Sequence, residues 1–264
     1  MILILGASGM LGHKIAEELA DLDIIALGRF DYQAFDSLDP YSLTANDWVI
    51  NCIGAIPHKN SDAETFIRLN ALFPKFLAEN TNASIIQIAT DCVYDGTKGN
   101  YIESDIKTAS DIYGLTKYLG EVQRHRFLNL RASIIGPELT AKKSFFEWVR
   151  TQPHGATVQG FTNHYWNGLT TEAFAKIVKG LIKTNIKLGG TFHLSPKDQV
   201  SKHELLEMVA TKVQRTDLKI QPKLVHRIDR TLGTEFPNLN SLFWRVAGYE
   251  SAPTIQHMIS TMKG

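Results

Sequence analysis

Apolar residues cluster in short blocks along the first half of the chain, and polar residues separate them. The apolar runs at 1–5, 23–26, 48–53, 84–89 and 127–135 each have the length of a buried strand. The segments between them have apolar residues at helical intervals. Alternation of this kind predicts an α/β protein, in which helices cover both faces of a doubly wound parallel sheet.

Helical periodicity predicts where the helices of both halves lie. The first half should contain helices from Leu11 to Leu19, around 66–77 and over 113–124, and Pro74 should kink or locally open the second of these. After the last buried strand the pattern loosens. Polar loops and isolated short strands separate the remaining predicted helices, at 143–151, 171–184 and 202–213.

Composition is consistent with an ordinary globular protein. The 264 residues are 44% hydrophobic and 21% charged. The formal net charge of +1 gives no reason to expect a nucleic acid or a membrane surface as partner. No apolar run reaches the roughly 20 residues that span a bilayer, and the chain leads directly into a strand, with no room for a signal peptide. We therefore expect a cytoplasmic location.

Cysteine and histidine residues give no sign of a metal site. Cys52 and Cys92 lack metal-type spacing and are expected to be reduced thiols. The nine histidines are scattered, and His58, His164 and His193 are each expected to be polar surface or loop residues. No metal ligand is predicted.

Three glycines spaced three apart lie between the first strand and the first helix. Gly6 would permit a sharp turn, Gly9 would let the backbone approach a phosphate, and Gly12 would let the helix pack closely on the strand. The helix N-terminus would turn its unpaired N–H groups and positive dipole end toward the anion. We interpret the turn as the pyrophosphate site of a dinucleotide cofactor, bound by Gly6, Ser8, Gly9, Met10 and Leu11. The alternative is a glycine-rich turn that only links a strand to a helix.

This motif indicates a Rossmann-type fold and a division of the chain into two parts. We predict a dinucleotide-binding domain over 1–136 and a smaller, mixed α/β substrate lobe over most of 137–264. The helix near 171–184 is expected to return and pack on the sheet of the first domain. No repeat or long flexible linker is visible, so the two parts should be tightly joined.

Further cofactor contacts are expected at the ends of the next strands. Arg29 follows the second strand, where a basic side chain suits a 2′-phosphate, so NADP(H) is favoured over NAD(H). Asp31 could reverse this preference because its carboxylate would repel the phosphate, and Arg29 could instead be a solvated loop residue. Ile53, Gly54 and Ala55 should line the cofactor after the strand that precedes them.

Tyr113 and Lys117 lie four residues apart on a predicted helix and therefore share a face, which in isolation would indicate only a solvated surface. Thr90 ends the preceding strand, and the loop that follows could hold a substrate. Tyrosine can donate a proton to a carbonyl being reduced, but its pKa of about 10 calls for a nearby cation. Lys117 can provide that charge while it hydrogen-bonds the nicotinamide ribose. Thr90 can hydrogen-bond the substrate oxygen where charge develops, so these three residues are the predicted catalytic set.

Together the motifs resemble the extended short-chain dehydrogenase/reductase superfamily. The likeness includes the glycine turn at 6–12, the Asn70-Ala71 pair and the segment 113–117. The segments 89–96 and 130–136 look specifically like those of dTDP-4-dehydrorhamnose reductases and their relatives. The resemblance implies an NAD(P)-dependent enzyme that acts on a nucleotide-linked sugar, with the three catalytic residues named above as its triad.

The resemblance also implies further binding residues, although the chain departs from the family in places. Asp36 and Ser37 match the position where the family contacts the adenine. The region between the second and third predicted strands is short, so the usual third strand and helix of the family should be truncated here. Ala89 replaces the usual serine before Thr-Asp.

The substrate side departs most, which leaves the identity of the sugar open. Ile134 replaces a frequent aromatic residue, and the segment 160–171 replaces a shorter loop. His164 and Trp166 in that segment could stack on a base or sugar, or could form a packed corner. The predicted substrate-binding residues are Thr90, Asp91, Ile134, His164 and Trp166.

The favoured function is reduction of a keto group on a nucleotide-linked deoxysugar in surface polysaccharide synthesis, with homodimer formation left open. One alternative is epimerase or dehydratase chemistry, in which the cofactor is oxidised and restored within one turnover. Another is a regulatory subunit that binds a dinucleotide and a partner without turnover.

Overall fold

The computed structural model describes residues 1–57, 59, 62–139 and 143–263, so that His58 lies outside the described residues. The strands are β1 Ile2–Leu5, β2 Ile24–Leu27, β3 Trp48–Asn51, β4 Ser84–Ala89, β5 Phe127–Arg131, β6 Ile134–Ile135, β7 Thr157–Phe161, β8 His164–Trp166, β9 Leu169–Thr170, β10 Gly190–His193, β11 Val200–Ser201, β12 Lys219–Lys223 and β13 Ile228–Asp229. The helices are α1 Met10–Glu18, α2 Ala63–Phe66, α3 Phe73–Asn80, α4 Ile112–Leu119, α5 Phe145–Arg150, α6 Thr171–Lys183, α7 Lys202–Lys212, α8 Pro237–Val246 and α9 Ile255–Thr261.

Six parallel strands form the central sheet, in the order β10-β5-β4-β3-β1-β2. Strands β1, β3 and β5 are buried along their whole length, as expected where helices cover both faces. The predicted Rossmann-type fold is therefore confirmed. The chain leaves β1 to one side for β2 and then crosses to the other side for β3. In doubly wound sheets, ligands bind at the carboxyl ends of the strands beside this reversal.

The sheet takes its sixth strand from the second half of the chain. Strand β10 pairs with β5, in a register that joins Gly190 to Leu128 and His193 to Arg131. The predicted division at residue 136 assigns β10 to the substrate lobe, so the sheet draws on both predicted parts. Helix α6 also lies against the first half, where Lys179 donates a hydrogen bond of 2.7 Å to the backbone carbonyl of Glu18.

Two apolar clusters cover the faces of the sheet. The larger contains residues of β1, β3, β4 and β5 together with side chains of α6, α7, α8 and α9. The smaller lies on the other face and includes Phe73 and Leu77 of α3 with Tyr32 and Leu38 of the loop after β2. Because the larger cluster is continuous, the second half of the chain packs directly on the sheet.

Several predicted boundaries differ from the structure for identifiable reasons. The helix predicted over 113–124 ends at Leu119, with Gly120 as its C-cap residue. A Cβ atom on Gly120 would lie only 1.9 Å from the backbone oxygen of Asn70, so only glycine allows this close approach. The strand predicted over 127–135 is interrupted between β5 and β6. The opening expected at Pro74 is confirmed as a π-helical segment, Ile67–Leu72, which joins α2 to α3.

The truncation predicted after β2 agrees with the structure, since residues 28–47 contain no strand and only one short 3₁₀ turn, Asp39–Tyr41. Within the described ranges, none of the helices has the combination of length and apolar character that a membrane span needs.

Candidate active site

The glycine turn lies at the point where the strand order reverses. Gly6 has a φ angle of +82°, and a Cβ atom there would lie 3.0 Å from the backbone of Cys52, the residue that follows β3. A Cβ atom on Gly12 would lie 2.2 Å from the Gly6 oxygen, so only glycine allows α1 to approach the turn this closely. Gly9 is the N-cap residue, and its φ of −79° is open to any residue. The backbone conformation therefore does not require glycine here, but the missing side chain would let a phosphate come close to the backbone.

The residues of this turn fit an anion. No side chain caps the first turn of α1, and that turn contains no acidic residue, so its backbone N–H groups are left for a ligand. Ser8 is exposed and Met10 is partly buried. Leu11 is 5% exposed and its side chain packs in the larger apolar cluster. Its predicted contact with the cofactor can therefore come only from its backbone.

Asn70 fixes the loop that follows β3. Its Oδ1 accepts a hydrogen bond of 2.8 Å from the Ala55 backbone N–H, and its Nδ2 donates to the Ala55 oxygen at 3.0 Å. A further bond of 3.3 Å reaches Thr116 Oγ1 on α4. A Cβ atom on Gly54 would lie 4.0 Å from Lys117 Nζ. The predicted cofactor loop and the predicted catalytic helix therefore meet at this asparagine, which the π-helical segment presents.

The three predicted catalytic residues converge beyond the end of β4. Thr90 follows β4 and caps the short 3₁₀ turn Asp91–Val93 by accepting a hydrogen bond from the Cys92 N–H at 3.2 Å. Thr90 is close enough to Tyr113 to act on the pKa of its phenol, and a Cβ atom on Gly114 would lie 2.2 Å from the Cys92 oxygen, so α4 packs against this turn. Lys117, 8% exposed, donates a bond of 2.5 Å to the Ile88 oxygen. Helix α4 is set at this position because Asp111 caps it.

The pKa of Tyr113 is raised, mainly by burial, although Thr90 acts in the opposite direction. Burial dominates this pKa and the Lys117 ammonium is bonded to a backbone carbonyl, so the lowering expected from Lys117 stays a prediction. Burial also lowers the pKa of Lys117 to about 8. The pair thus consists of a protonated phenol and a cation close to its own titration range.

At the end of β2, a basic and an acidic side chain are available to a ribose. Arg29 is exposed. Asp31 accepts a hydrogen bond of 2.9 Å from the Gly28 N–H, and a Cβ atom on Gly28 would also lie 3.5 Å from Ser8. Asp36 and Ser37 are exposed and are occupied by bonds within their own loop, from Gln33 N and Asp39 N.

The predicted substrate residues are not all brought together. Asp91 adjoins Thr90, whose hydroxyl donates to Asp91 Oδ1 at 3.2 Å. Ile134 is partly buried against the larger apolar cluster. Trp166 is only 3% exposed and donates to Ser133 Oγ at 2.8 Å, so it forms a packed wall and not a free stacking surface. His164 bonds the backbone oxygen of His226 at 2.8 Å.

Two cations near Asp91 escape sequence reasoning. Lys202 and Arg230 each act on the Asp91 carboxylate by their charge and lower its pKa, while burial, the larger effect, raises it. Lys202 begins α7 through a Ser201 capping box, a local signal that places the helix start but not what the lysine meets. The sequence around Arg230 contains no motif that would predict a position near Thr90.

A buried network ties the loop after Thr90 to both halves of the chain. Arg131 at the end of β5 forms two bonds with Glu121, of 2.7 and 2.6 Å, and donates to the Tyr94 hydroxyl at 2.8 Å. His193 is 0% exposed and donates from Nδ1 to the Gly233 oxygen at 2.8 Å, so the prediction of a polar surface or loop position is wrong. Burial lowers its pKa to about 4 and keeps it neutral.

Across the described part of the chain, no group of three histidine, cysteine, aspartate or glutamate residues is arranged to hold a metal ion.

Comparison with known proteins gives matches over most of the chain. A family model described as the RmlD substrate binding domain matches residues 1–232. The chain is 26% identical over 240 residues to methionine adenosyltransferase 2 subunit beta of Danio rerio, with 79% of this chain and 72% of that protein covered. It is 31% identical over 138 residues to dTDP-4-dehydrorhamnose reductase of Aggregatibacter actinomycetemcomitans, with 46% of this chain and 45% of that protein covered.

Among solved structures, dTDP-4-dehydrorhamnose reductase of Bacillus anthracis in complex with NADP aligns with a TM-score of 0.79 at 17% identity. The alignment covers 98% of this chain and 96% of that chain. At this level of identity the likeness concerns the fold.

Proposed function

The chain belongs to the RmlD substrate binding domain family and, as its motifs predicted, to the extended short-chain dehydrogenase/reductases; from this premise we propose its function. The protein reduces a keto group on a nucleotide-linked deoxysugar with a nicotinamide dinucleotide, as the name dTDP-4-dehydrorhamnose reductase describes. The observation that supports this most directly is that Thr90 acts on Tyr113 at the end of β4, while Lys117 lies beside Gly54 in the loop that Asn70 fixes.

Each residue of the set has a defined part in the reduction. A bound nicotinamide dinucleotide would supply the hydride. Tyr113, whose raised pKa keeps the phenol protonated at neutral pH, donates its proton to the substrate oxygen. Thr90 hydrogen-bonds that oxygen while negative charge develops on it. Lys117, charged below about pH 8, stabilises the phenolate that remains.

Turnover with sugar nucleotides tests the proposal. A panel of thymidine, uridine and guanosine diphosphate 4-keto sugars would be assayed by loss of nicotinamide absorbance. Steady consumption of the reduced cofactor with at least one sugar is expected. Activity without net consumption would indicate epimerase or dehydratase chemistry instead.

Two matched tyrosine variants on α4 test the proton donor. Tyr113→Phe keeps the ring but removes the hydroxyl, and turnover should fall by about 10²–10⁴-fold while cofactor binding persists. Tyr118→Phe makes the same change at a side chain that is 44% exposed, and should leave turnover unchanged. Equal turnover in the two variants would contradict the assigned mechanism.

The preference for NADP(H) depends on the balance between Arg29 and Asp31. We propose that the exposed Arg29 pairs with the 2′-phosphate. Arg29→Ala should then weaken NADPH binding by about 1–3 kcal/mol and leave NADH binding nearly unchanged. Asp31→Asn should strengthen NADPH binding, because it removes the nearby negative charge. Loss of NADH affinity in Asp31→Asn, with no effect of Arg29→Ala, would reverse the assignment to NAD(H).

A second candidate function rests on the similarity to methionine adenosyltransferase 2 subunit beta. In that case the chain would bind a dinucleotide and a partner enzyme without turnover. Absence of turnover across the panel, together with tight dinucleotide binding, would favour this candidate. The complete set of Thr90, Tyr113 and Lys117 favours the reductase, because a binding subunit has no need of a proton donor.

We also propose that the reductase acts in the cytoplasm, in surface polysaccharide synthesis, as a homodimer. Exposed apolar side chains on α4, among them Leu115 at 43% and Leu119 at 55%, would be covered in such a dimer. The molar mass from light scattering tests the assembly. A monomer mass at every protein concentration would contradict it.

A further inference from the structure

The edge of the central sheet opposite the candidate active site contains a recess lined in part by basic side chains. Strands β3, β4, β5 and β10 are parallel neighbours, so the residues that precede them meet at this edge. The recess has a volume of about 530 Å³, which is in the range of small-molecule sites. Its lining residues are Thr44, Ala45, Asn82, Arg124, His125 and Arg126. It is therefore separate from the glycine turn and from Thr90, which follow the carboxyl ends of their strands.

Two cations converge on a single neutral oxygen at this recess. The backbone oxygen of Ala45 accepts a hydrogen bond of 3.0 Å from Arg126 Nη1 and another of 2.8 Å from Lys187 Nζ. Arg124 adds a third cation, which donates a longer bond of 3.4 Å to the Thr81 oxygen. Within the described ranges, none of these three side chains makes an ion pair within 4.0 Å. Because like charges held this close repel each other, an anion in the recess would relieve that repulsion.

The acidic side chain closest in sequence to Ala45 is already occupied. Asp47 accepts a hydrogen bond of 2.9 Å from the Met1 amino group and bonds of 2.7 Å from the N–H and the hydroxyl of Thr44. Its charge is therefore paired with another cation. The whole chain has 28 basic and 27 acidic residues, so three cations without a carboxylate in contact are a local feature of this edge and not an average property of the protein.

The backbone of Arg126 adopts a conformation that arginine rarely takes. Its φ angle is +64°, in the left-handed region that favours glycine. The turn is fixed from both sides, since the Arg126 oxygen accepts a bond of 2.8 Å from the Ile85 N–H, and a Cβ atom on Gly189 would lie 2.4 Å from the Arg124 oxygen. Glycine would suit this backbone better, so the guanidinium is what arginine adds. Strain of this kind is typical of residues at functional sites.

We propose that Arg124, Arg126 and Lys187 form a binding site for a phosphate group, at the amino ends of the strands. A phosphate presents several acceptor oxygens, which suit the N–H groups of two guanidiniums and one ammonium. Inorganic phosphate and the phosphate ester of a small metabolite share this chemistry, and the experiment separates them. The site is independent of the proposed reduction, because it shares no residue with the predicted catalytic and cofactor contacts.

Residue-resolved NMR on the isotope-labelled full chain locates the bound anion. The probes are inorganic phosphate, glucose 6-phosphate and thymidine monophosphate, with uncharged thymidine as the control. The backbone amide signals of Ala45, Asn82 and Arg126 should move with each phosphate, whatever happens at the glycine turn, and should stay in place with thymidine. Equal affinity for all three phosphates would assign the site to the phosphate group alone, and tighter binding of one ester would assign it to a phosphorylated metabolite.

Charge variants test the contribution of the cations. Arg126→Gln and Lys187→Gln should each weaken phosphate binding at the recess by about 10–100-fold, the loss expected for a charge-assisted hydrogen bond. Lys187→Arg should keep the affinity within a few fold, because the charge remains. Lys183→Gln removes the same charge from a lysine that is paired with Asp21 at 2.9 Å, and should leave the affinity unchanged.

Arg126→Gly separates a binding role from a structural one. The substitution removes the guanidinium and relieves the left-handed backbone, so phosphate affinity should fall while the melting temperature stays the same or rises. A lower melting temperature with unchanged phosphate affinity would make Arg126 a structural residue and overturn the inference. Absence of phosphate-dependent shifts at the recess, or equal shifts with thymidine, would overturn it as well.

Discussion

Replacing Asn70 by alanine should destabilise the protein and loosen the cofactor loop together. The side chain is 1% exposed and makes two hydrogen bonds with the backbone of Ala55, a residue that is itself fully buried. The substitution leaves a buried N–H and a buried carbonyl without partners, at a cost of about 1–3 kcal/mol each. For a chain of this size, a total of roughly 2–6 kcal/mol lowers the melting temperature by about 4–24 °C. The same loop carries Gly54, where a Cβ atom would lie 4.0 Å from Lys117 Nζ. Because both are predicted cofactor contacts, a looser loop should also lower cofactor affinity.

The assay compares thermal unfolding and dinucleotide affinity in Asn70→Ala and Asn80→Ala. Asn80 ends α3 and is exposed, and among the described residues its side chain bonds only the Phe76 oxygen, at 2.8 Å. Its loss should change stability by no more than about 0.5 kcal/mol. If both variants melt within a degree or two of each other, the Asn70 bonds do not secure the loop, and the reasoning from buried unpaired groups fails here.

Three further predictions follow from contacts described above. Gly12→Ala should destabilise the fold by about 1–3 kcal/mol or more, because its Cβ atom would lie 2.2 Å from a backbone oxygen. Gly9→Ala should melt almost normally but bind dinucleotide poorly, and equal melting temperatures of the two variants would contradict this. Dinucleotide affinity should decline above pH 8 as Lys117 loses its proton, and a flat fluorescence titration from pH 6.5 to 9.5 would contradict the assigned contact. Glu121→Gln should cost about 3–5 kcal/mol in urea unfolding, since it leaves the Arg131 charge uncompensated, and a loss below about 1 kcal/mol would refute this.

The parts of the fold that sequence reasoning found are those with a strong local pattern. Strands β1, β3 and β4 are short apolar runs buried on both faces, so their identity needs no distant information. The glycine turn combines a strand, a turn and a helix within twelve residues. The predicted catalytic residues come from two such local motifs, Thr90 from the segment 89–96 and Tyr113 with Lys117 from the segment 113–117.

The parts that were missed depend on contacts between distant segments. Gly120, the residue after α4, lies so close to the backbone of Asn70, fifty positions earlier, that a Cβ atom would not fit, and no feature near Gly120 reveals this contact. Trp166 is a residue type that often stacks on ligands, but here it is buried and its ring contacts the Lys202 ammonium. Lys202 itself looks like an ordinary solvated lysine at a helix start, because the burial that alters it comes from α5 and β8.

The position of β10 has a consequence for synthesis on the ribosome. Strand β5 is buried along its whole length, yet one of its edges is completed only when residues 190–193 are available. At elongation rates of about 5–20 residues per second, the nascent chain spends several seconds with that edge unpaired. An open parallel edge of this kind invites association with neighbouring chains. A fragment that stops at residue 136 would keep the exposed edge permanently, so the dinucleotide-binding half should be insoluble by itself even though its own motifs are complete.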